Sequence, residues 1–227
     1  MDVEFEINGQ AYSEFHEDDS ELSRKIAQNV SYDILLSQLP NAFHLPGLNT
    51  HISPAADLAQ EQIEELISII DDNLGDLYIK NNGINWKIDK DRDEMKEPGL
   101  VVVWFTEKDK TRVAGYISFK LCFDADERFV VYLYEIHFRK DFQGKSLGRI
   151  VMDQFHFFAK GLQRSDHSLY QRVKGTSLTV FSDNERALNW YKRLGYQLAE
   201  NSPQDKVLRS GKIRKPGYYL LRRGIIS

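Results

Sequence analysis

The hydrophobic pattern changes period near residue 99. Before that point, Leu22, Ile26, Val30, Ile34 and Leu35 recur at helical spacing behind Ser20, which predicts a first helix with Ser20 as its N-cap. Residues 39–54 hold three prolines and a glycine and read as a connector. Leu58, Ile63, Leu66, Ile67, Ile70 and Leu74 then mark a second, longer amphipathic helix. After residue 99 come three β-rich runs, 99–106, 112–123 and 129–138, separated by turn-like residues at 107–110 and 124–128. They predict an antiparallel meander. Ile150, Val151, Phe155, Phe158 and Leu162 return to a helical face, 176–181 reads as a strand, 183–195 as a helix behind a capping residue, and 218–223 as a last strand. Residues 1–19 alternate too weakly for assignment. The order is that of an α+β fold, a mostly antiparallel sheet flanked by helices.

Composition narrows the class. With 41% hydrophobic residues, 12% aromatic and six prolines in 227 residues, the chain has the apolar material of a folded protein. Its longest apolar runs fall far short of the roughly 20 residues a membrane helix needs, and the N-terminus lacks the basic start and apolar stretch of a secretory signal. A single cysteine, Cys122, forms no internal disulfide, in keeping with a reducing compartment. The net charge of −4 hides a bipolar chain: residues 1–98 carry 21 acidic against 7 basic residues, a net −14, which leaves +10 for the remainder. An acidic front half suits a basic partner and a basic back half an anionic cofactor, although solvated acidic helices would give the same pattern.

The chemistry concentrates at 134–149, where a strand carrying Glu135 meets a glycine-flanked basic turn and a helix start. Gly144 and Gly148 permit close backbone approach, Lys145 and Arg149 add positive charge, and the helix N-terminus offers unpaired N–H groups, a combination suited to phosphate. The six histidines show no paired spacing, so no metal site is expected. No nucleophile elbow is present, and Cys122 is remote from the turn, so direct transfer without a covalent intermediate is expected of any group-transfer reaction.

"QGKSLG", Gln143 to Gly148, resembles the acetyl-CoA signature of the Gcn5-related N-acetyltransferases, with Ser146 where the family usually has glycine. Serine at a helix start suits capping. "DNERALNWYKRLGY" is similar to the family's other block, matching at Asn184, Ala187, Tyr191, Gly195 and Tyr196. Over roughly residues 70–223 the resemblance narrows to the NatD type of N-terminal acetyltransferase, which acetylates histones H-4 and H-2A. It implies an acetyltransferase domain over 57–227, preceded by an N-terminal helical extension over 1–56.

The resemblance further implies acetyl-CoA as cofactor, held by Gln143, Gly144, Lys145, Ser146, Leu147, Gly148, Arg149 and Asn184 and flanked by Ile136, His137 and Phe138. A strand bulge would turn the N–H of Ile136 or Phe138 to the thioester oxygen. Glu135 would be the base, acting through water, Tyr191 would face the leaving thiolate, and Tyr134 would assist. An α-ammonium with pKa near ~8 loses its proton about 2.5 units, or roughly 3.4 kcal/mol, more easily than lysine, so a modest base suffices. In a regular strand Tyr132 and Tyr134 would face away from Glu135, so either a bulge intervenes or the roles divide between two faces. Substrate contacts fall on Tyr78, Trp86, Asp124, Asp126, Tyr132 and Tyr218, the last uncertain against Tyr219 by one residue. The two aspartates would take the arginine of a tail beginning Ser-Gly-Arg-Gly; as ordinary turn residues they would merely be solvated. Histone tails are the expected partner, for a monomer in nucleus and cytoplasm that contacts neither nucleic acid nor membrane. An acetyltransferase acting on lysine or small amines and a non-enzymatic acidic histone-binding module are the alternatives.

Overall fold

The structure, a computed structural model, describes residues 1–108 and 110–225, so Asp109 of the turn expected at 107–110 lies outside the described residues. Residues 1–19 are not irregular. Strand β1 (Asp2–Ile7) and strand β2 (Gln10–Glu14) form an antiparallel hairpin closed by Asn8 and Gly9 at φ 50° and 77°. Asn-Gly is the residue pair that a two-residue hairpin turn favours, and Val3, Phe5 and Ile7 bury the inner face of β1. Helix α1 (Ser20–Gln28) follows, capped by the Asp19 carboxylate, which accepts from the N–H groups of Glu21 and Leu22 at 3.0 Å. Ser20 is therefore the first helical residue and not the cap. The helix continues as a wider π-helical stretch, Asn29–Gln38.

The expected connector contains β3 (Leu48–Pro54), which pairs antiparallel with β4 (Val101–Glu107). As an edge strand it tolerates a proline at its end. The expected boundary at residue 56 thus leaves a strand of the main sheet inside the supposed extension, which itself is part hairpin and part helix. Beyond it run α2 (Gln60–Asn82), the short α3 (Trp86–Asp89) and a π-helical turn, Lys90–Glu94, closed by the Met95 N–H on the Lys90 carbonyl at 2.8 Å.

Strands β4, β5 (Val113–Phe123) and β6 (Phe129–Phe138) form the antiparallel meander that the pattern predicts. Then come α4 (Leu147–Gln163), β7 (Gly175–Phe181), α5 (Glu185–Arg193), three two-residue strands, β8 (Gln197–Leu198), β9 (Lys206–Val207) and β10 (Ile213–Arg214), and β11 (Tyr218–Gly224). The seven-stranded sheet has the order β3-β4-β5-β6-β7-β11-β8, with only β6 and β7 parallel.

Both faces of this sheet are covered, which is why β4 reads as a continuous apolar run. Val101, Val103 and Phe105 join a core with the hairpin, α1, α4 and α5, while Val102 joins α2 and α3 on the other side. Phe43, Phe119, Phe155 and Phe158 pack ring to ring at 5.5–6.1 Å in the larger core, fastening the N-terminal region to α4. Among the described residues no helix is long and apolar enough to cross a membrane.

Candidate active site

Two departures from regular sheet geometry open the site. Ser118 pairs with Glu135 while the next residue, Phe119, pairs with Leu133, which leaves Tyr134 as an extra residue on β6. Of the two alternatives that the alternation left open, a bulge is the one present, and Tyr132, Tyr134 and Glu135 all line one cleft. The second departure is between β6 and β7, whose parallel pairing covers only Val131–Thr176 to Leu133–Leu178. Beyond Leu133 the two strands no longer form a ladder, and a cleft of ≈1210 Å³ lies against their facing edges.

At one end the cleft meets the start of α4. Gly144 and Ser146 both adopt left-handed backbone conformations, at φ 73° and 61°, just before the helix. Ser146 makes no side-chain cap bond. The capping role expected for it is not realised, and its left-handed backbone is one that glycine adopts freely and serine only with strain. Gln143, Gly144, Ser146, Leu147, Gly148 and Arg149 line the cleft, as do Ile136, His137 and Phe138. Lys145 does not; its ammonium lies over the Phe142 ring, 5.3 Å from the centroid. Asn184 caps α5 through its side-chain oxygen on the Ala187 N–H at 3.1 Å, and its amide nitrogen is the part left to meet a ligand. Left-handed turns, a helix N-terminus, Arg149 and a split strand edge fit the pyrophosphate and amide-rich arm of acetyl-CoA.

Tyr191, buried from α5, lines the same cleft and donates to no protein group among the described residues. Burial pushes its phenol well above the ordinary range, so it stays protonated.

Glu135 sits in the floor, 7% exposed, and three protein groups reach its carboxylate. The Tyr78 hydroxyl donates to its Oε1 at 2.6 Å and the Lys90 ammonium to the same oxygen at 2.5 Å, while His137 Nε2 lies 2.6 Å from Oε2. Burial alone would raise its carboxyl pKa, but Lys90 and then His137 outweigh it and hold the group well below the usual carboxylate range. Lys90, 3% exposed, also donates to Glu94 and to Tyr78 Oη, so its three protons have three acceptors. The sequence carried no sign of Lys90: one lysine among seven basic residues of the acidic half becomes special only when the π-turn points it inward.

His137 is in turn held by Asn73, whose amide nitrogen lies 3.4 Å from Nδ1 and donates to the Phe138 carbonyl at 3.0 Å. Gln143 donates both to Asn73 Oδ1 at 2.9 Å and to that carbonyl at 2.8 Å. The side chain of Gln143 thus locks the turn to α2, and Asn73 is a second residue the sequence reading missed.

The substrate candidates divide. Tyr78, Tyr132, Tyr218 and Asp124 line the cleft. Tyr132 bonds Thr179 at 2.6 Å, and burial pushes its phenol up to about 12. Of the two neighbouring tyrosines Tyr218 lines the cleft, whereas Tyr219 donates its hydroxyl to Asp205. Trp86 is not on the cleft wall: it is 2% exposed and stacks behind Tyr78 at 4.5 Å. Asp126 is turned away, accepting from the Glu200 and Asn201 N–H groups and from Arg222 at 2.8–3.0 Å. Asp124 accepts five bonds, from the N–H groups of Asp126 and Arg128, the Arg128 guanidinium twice and Ser177. A carboxylate so engaged is a poor partner for a substrate arginine. At that end of the cleft the other carboxylates are Glu17, with one oxygen on the Phe123 N–H, and Glu94. No group of metal-ligating side chains occurs among the described residues.

Comparison with known proteins agrees with this geometry. Over 156 residues the chain is 31% identical to N-alpha-acetyltransferase 40 of Saccharomyces cerevisiae, covering 62% of this chain and 53% of that protein. The chain thus spans about half the length of that relative. A Pyrococcus horikoshii OT3 protein, PH1933, superposes with a TM-score of 0.51 at 19% identity, over 78% of this chain and 98% of its own. The PaiA N-acetyltransferase of Thermoplasma acidophilum, solved with coenzyme A, superposes at 0.50 and 11% identity, over 78% and 99%. These likenesses speak to the fold alone. Residues 67–196, more than half of the chain, match the Acetyltransferase (GNAT) family, and with the bulged strand, the split sheet and the left-handed turn before α4, the chain belongs to that family of acetyl-CoA-dependent acetyltransferases.

Proposed function

We propose that this protein acetylates the α-amine of a polypeptide N-terminus, and that its substrates are histone tails of the Ser-Gly-Arg-Gly type. The observation that carries the reading is the 31% identity to yeast N-alpha-acetyltransferase 40, over a stretch equal to most of this chain. Substrate class, monomeric state and action in nucleus and cytoplasm extend the same reading.

Acetyl-CoA, when bound, supplies an activated acetyl thioester. The turn 143–149 and Asn184 are the groups that would hold it. Glu135 meets the amine through Oε2, which carries the single contact with His137, since Oε1 already accepts two bonds. A carboxylate held far below its usual range is a weak base. It orients the amine and stabilises positive charge growing on the attacking nitrogen, and passes the proton through water to solvent. This suffices for an α-amine, of which about a tenth is already deprotonated near pH 7. Tyr191, protonated at neutral pH, donates a hydrogen bond to the departing sulfur, and the proton that the amine gives up to water is the one that leaves coenzyme A as its thiol. Tyr78, Tyr132, Tyr134 and Tyr218 wall the peptide end.

The test is mass spectrometry of a Ser-Gly-Arg-Gly-Lys peptide incubated with protein and acetyl-CoA, beside the same peptide with a blocked N-terminus. Acetyl on the free α-amine only is expected. Acetyl on lysine in both would sink the reading.

A further inference from the structure

Lys90 is the feature of the cleft that the proposed reaction does not use directly. It is a buried ammonium 2.5 Å from Glu135, drawn inward by a π-helical turn, and such turns recur at functional sites. Its exposure is 3% and its acceptors are three protein oxygens, so no donor remains for substrate. Counted together, Glu94, Lys90 and Glu135 carry two negative charges and one positive, a net −1 in the cleft wall that matches one incoming ammonium.

A second observation points to the same place. The Tyr116 hydroxyl, on β5, is fully buried with no hydrogen-bond partner in the protein, and the charges acting on it are those of Glu135, Lys90 and Glu94. An apolar wall would have served the fold better there. Lys90 from the π-turn, itself paired with Glu94, Tyr78 from α2 and His137 from its own strand contact Glu135, and Tyr116 of β5 and Tyr191 of α5 lie within its electrostatic reach. Lys90 is the one fixed cation among them.

We infer that Lys90 is a positioning residue for acetyl transfer: it holds Glu135 ionised and, with Tyr78, fills Oε1, so that Oε2, which carries only the His137 contact, is the oxygen with a lone pair left for the amine. The inference rests on the reading of Glu135 as the residue facing the amine. Without Lys90 a carboxylate buried to this degree would take up a proton at ordinary pH, and the amine would meet a neutral acid.

The experiment compares kcat/KM against pH for the wild type, Lys90→Met and Lys90→Arg on one peptide. In the variant-to-wild-type ratio the ionisation of the peptide cancels. For Lys90→Met the ratio should rise more than tenfold between pH 5 and 8, as the buried Glu135, without its cation, titrates about two units or more above an ordinary glutamate. For Lys90→Arg, which keeps the charge, it should stay flat within about twofold, a contrast that lost packing alone would not produce. KM for acetyl-CoA should not move in either. A flat ratio for Lys90→Met, or one for Lys90→Arg that follows it, overturns the inference.

Carboxyl 13C titration of the wild type, with Glu135→Gln to assign the signal, needs neither turnover nor the methionine variant to fold. Glu135 should titrate below the ordinary carboxylate range, and a midpoint within that range overturns the proposal. If no peptide is acetylated while Glu135 stays ionised, the substrate reading fails and the Lys90 pairing stands.

Discussion

Asp124→Asn separates a structural from a substrate-binding carboxylate at the β5–β6 turn. In the wild type Oδ1 accepts the N–H groups of Asp126 and Arg128 at 3.0 Å, and Oδ2 accepts Arg128 Nε at 3.1 Å, Arg128 Nη2 at 2.9 Å and Ser177 Oγ at 2.7 Å. Asparagine keeps the shape but places an amide nitrogen against donors on one of the two sides. It also leaves Arg128, whose side chain is 23% exposed, without its counter-charge. Breaking a fully buried pair costs roughly 3–5 kcal/mol, and an unsatisfied donor roughly 1–3. With partial solvent access for Arg128, a loss of about 3 kcal/mol follows. For a chain of this length that is a fall in Tm of roughly 6–12 °C. Thermal unfolding followed by circular dichroism reads it, and peptide KM measured well below the transition reads binding. A Tm within about 1 °C of wild type, together with a tenfold rise in peptide KM, would refute the reasoning and return Asp124 to the substrate.

Three further outcomes follow from the same geometry. Glu135→Gln should lower kcat by about a hundredfold or more while acetyl-CoA affinity by calorimetry stays within about twofold; equal collapse of both would assign the residue to the fold. Ser146→Gly should stabilise the protein by about 0.5–1 kcal/mol in urea unfolding, because the left-handed backbone at φ 61° strains any side chain, and a loss would mean the hydroxyl has a role in place. His156 packs 3.1 Å from the Tyr196 hydroxyl, and burial, with Arg223 nearby, pushes its pKa down to about 3. Its folded value lies below the unfolded one of about 6.5, so the unfolded chain binds more protons between pH 3 and 6.5. Stability should therefore fall with decreasing pH through that window, by up to about 1.4 kcal/mol per unit from this group. His156→Gln should flatten the slope between pH 6 and 4, and an unchanged slope would remove His156 as its source.

Periodicity was informative wherever an element had one buried face or a long apolar run. The two N-terminal helices, the three-strand meander and α4, α5 and β11 all carried such patterns, and short glycine-bearing motifs marked the cofactor turn and the start of α5. Elements whose stability comes from partners distant in sequence gave little local signal. Strand β3 reads as connector because Pro40, Pro46 and Gly47 precede it and Pro54 ends it, yet its pairing with β4 makes it a sheet edge. The Asn8-Gly9 hairpin went unassigned because β2 exposes most of its residues.

The chemistry divides in the same way. Glu135, Tyr191, Asn184 and the turn 143–149 stand in contiguous motifs, so the chain itself determines their order and spacing. What only the tertiary structure decided is which charges meet. Lys90 and Glu135 are 45 residues apart, Asn73 and His137 64 apart, and nothing local announces either contact. The acidic turn was legible as acidic, but whether its carboxylates face a ligand or the protein depends on how Arg128 of the same turn folds back and on where Ser177 and Arg222 arrive from β7 and β11. Hydrogen bonds and ion pairs act over a few ångströms of space, whatever the separation along the chain. A sequence therefore names the groups able to do the chemistry, and the packing of distant elements selects those left available to do it.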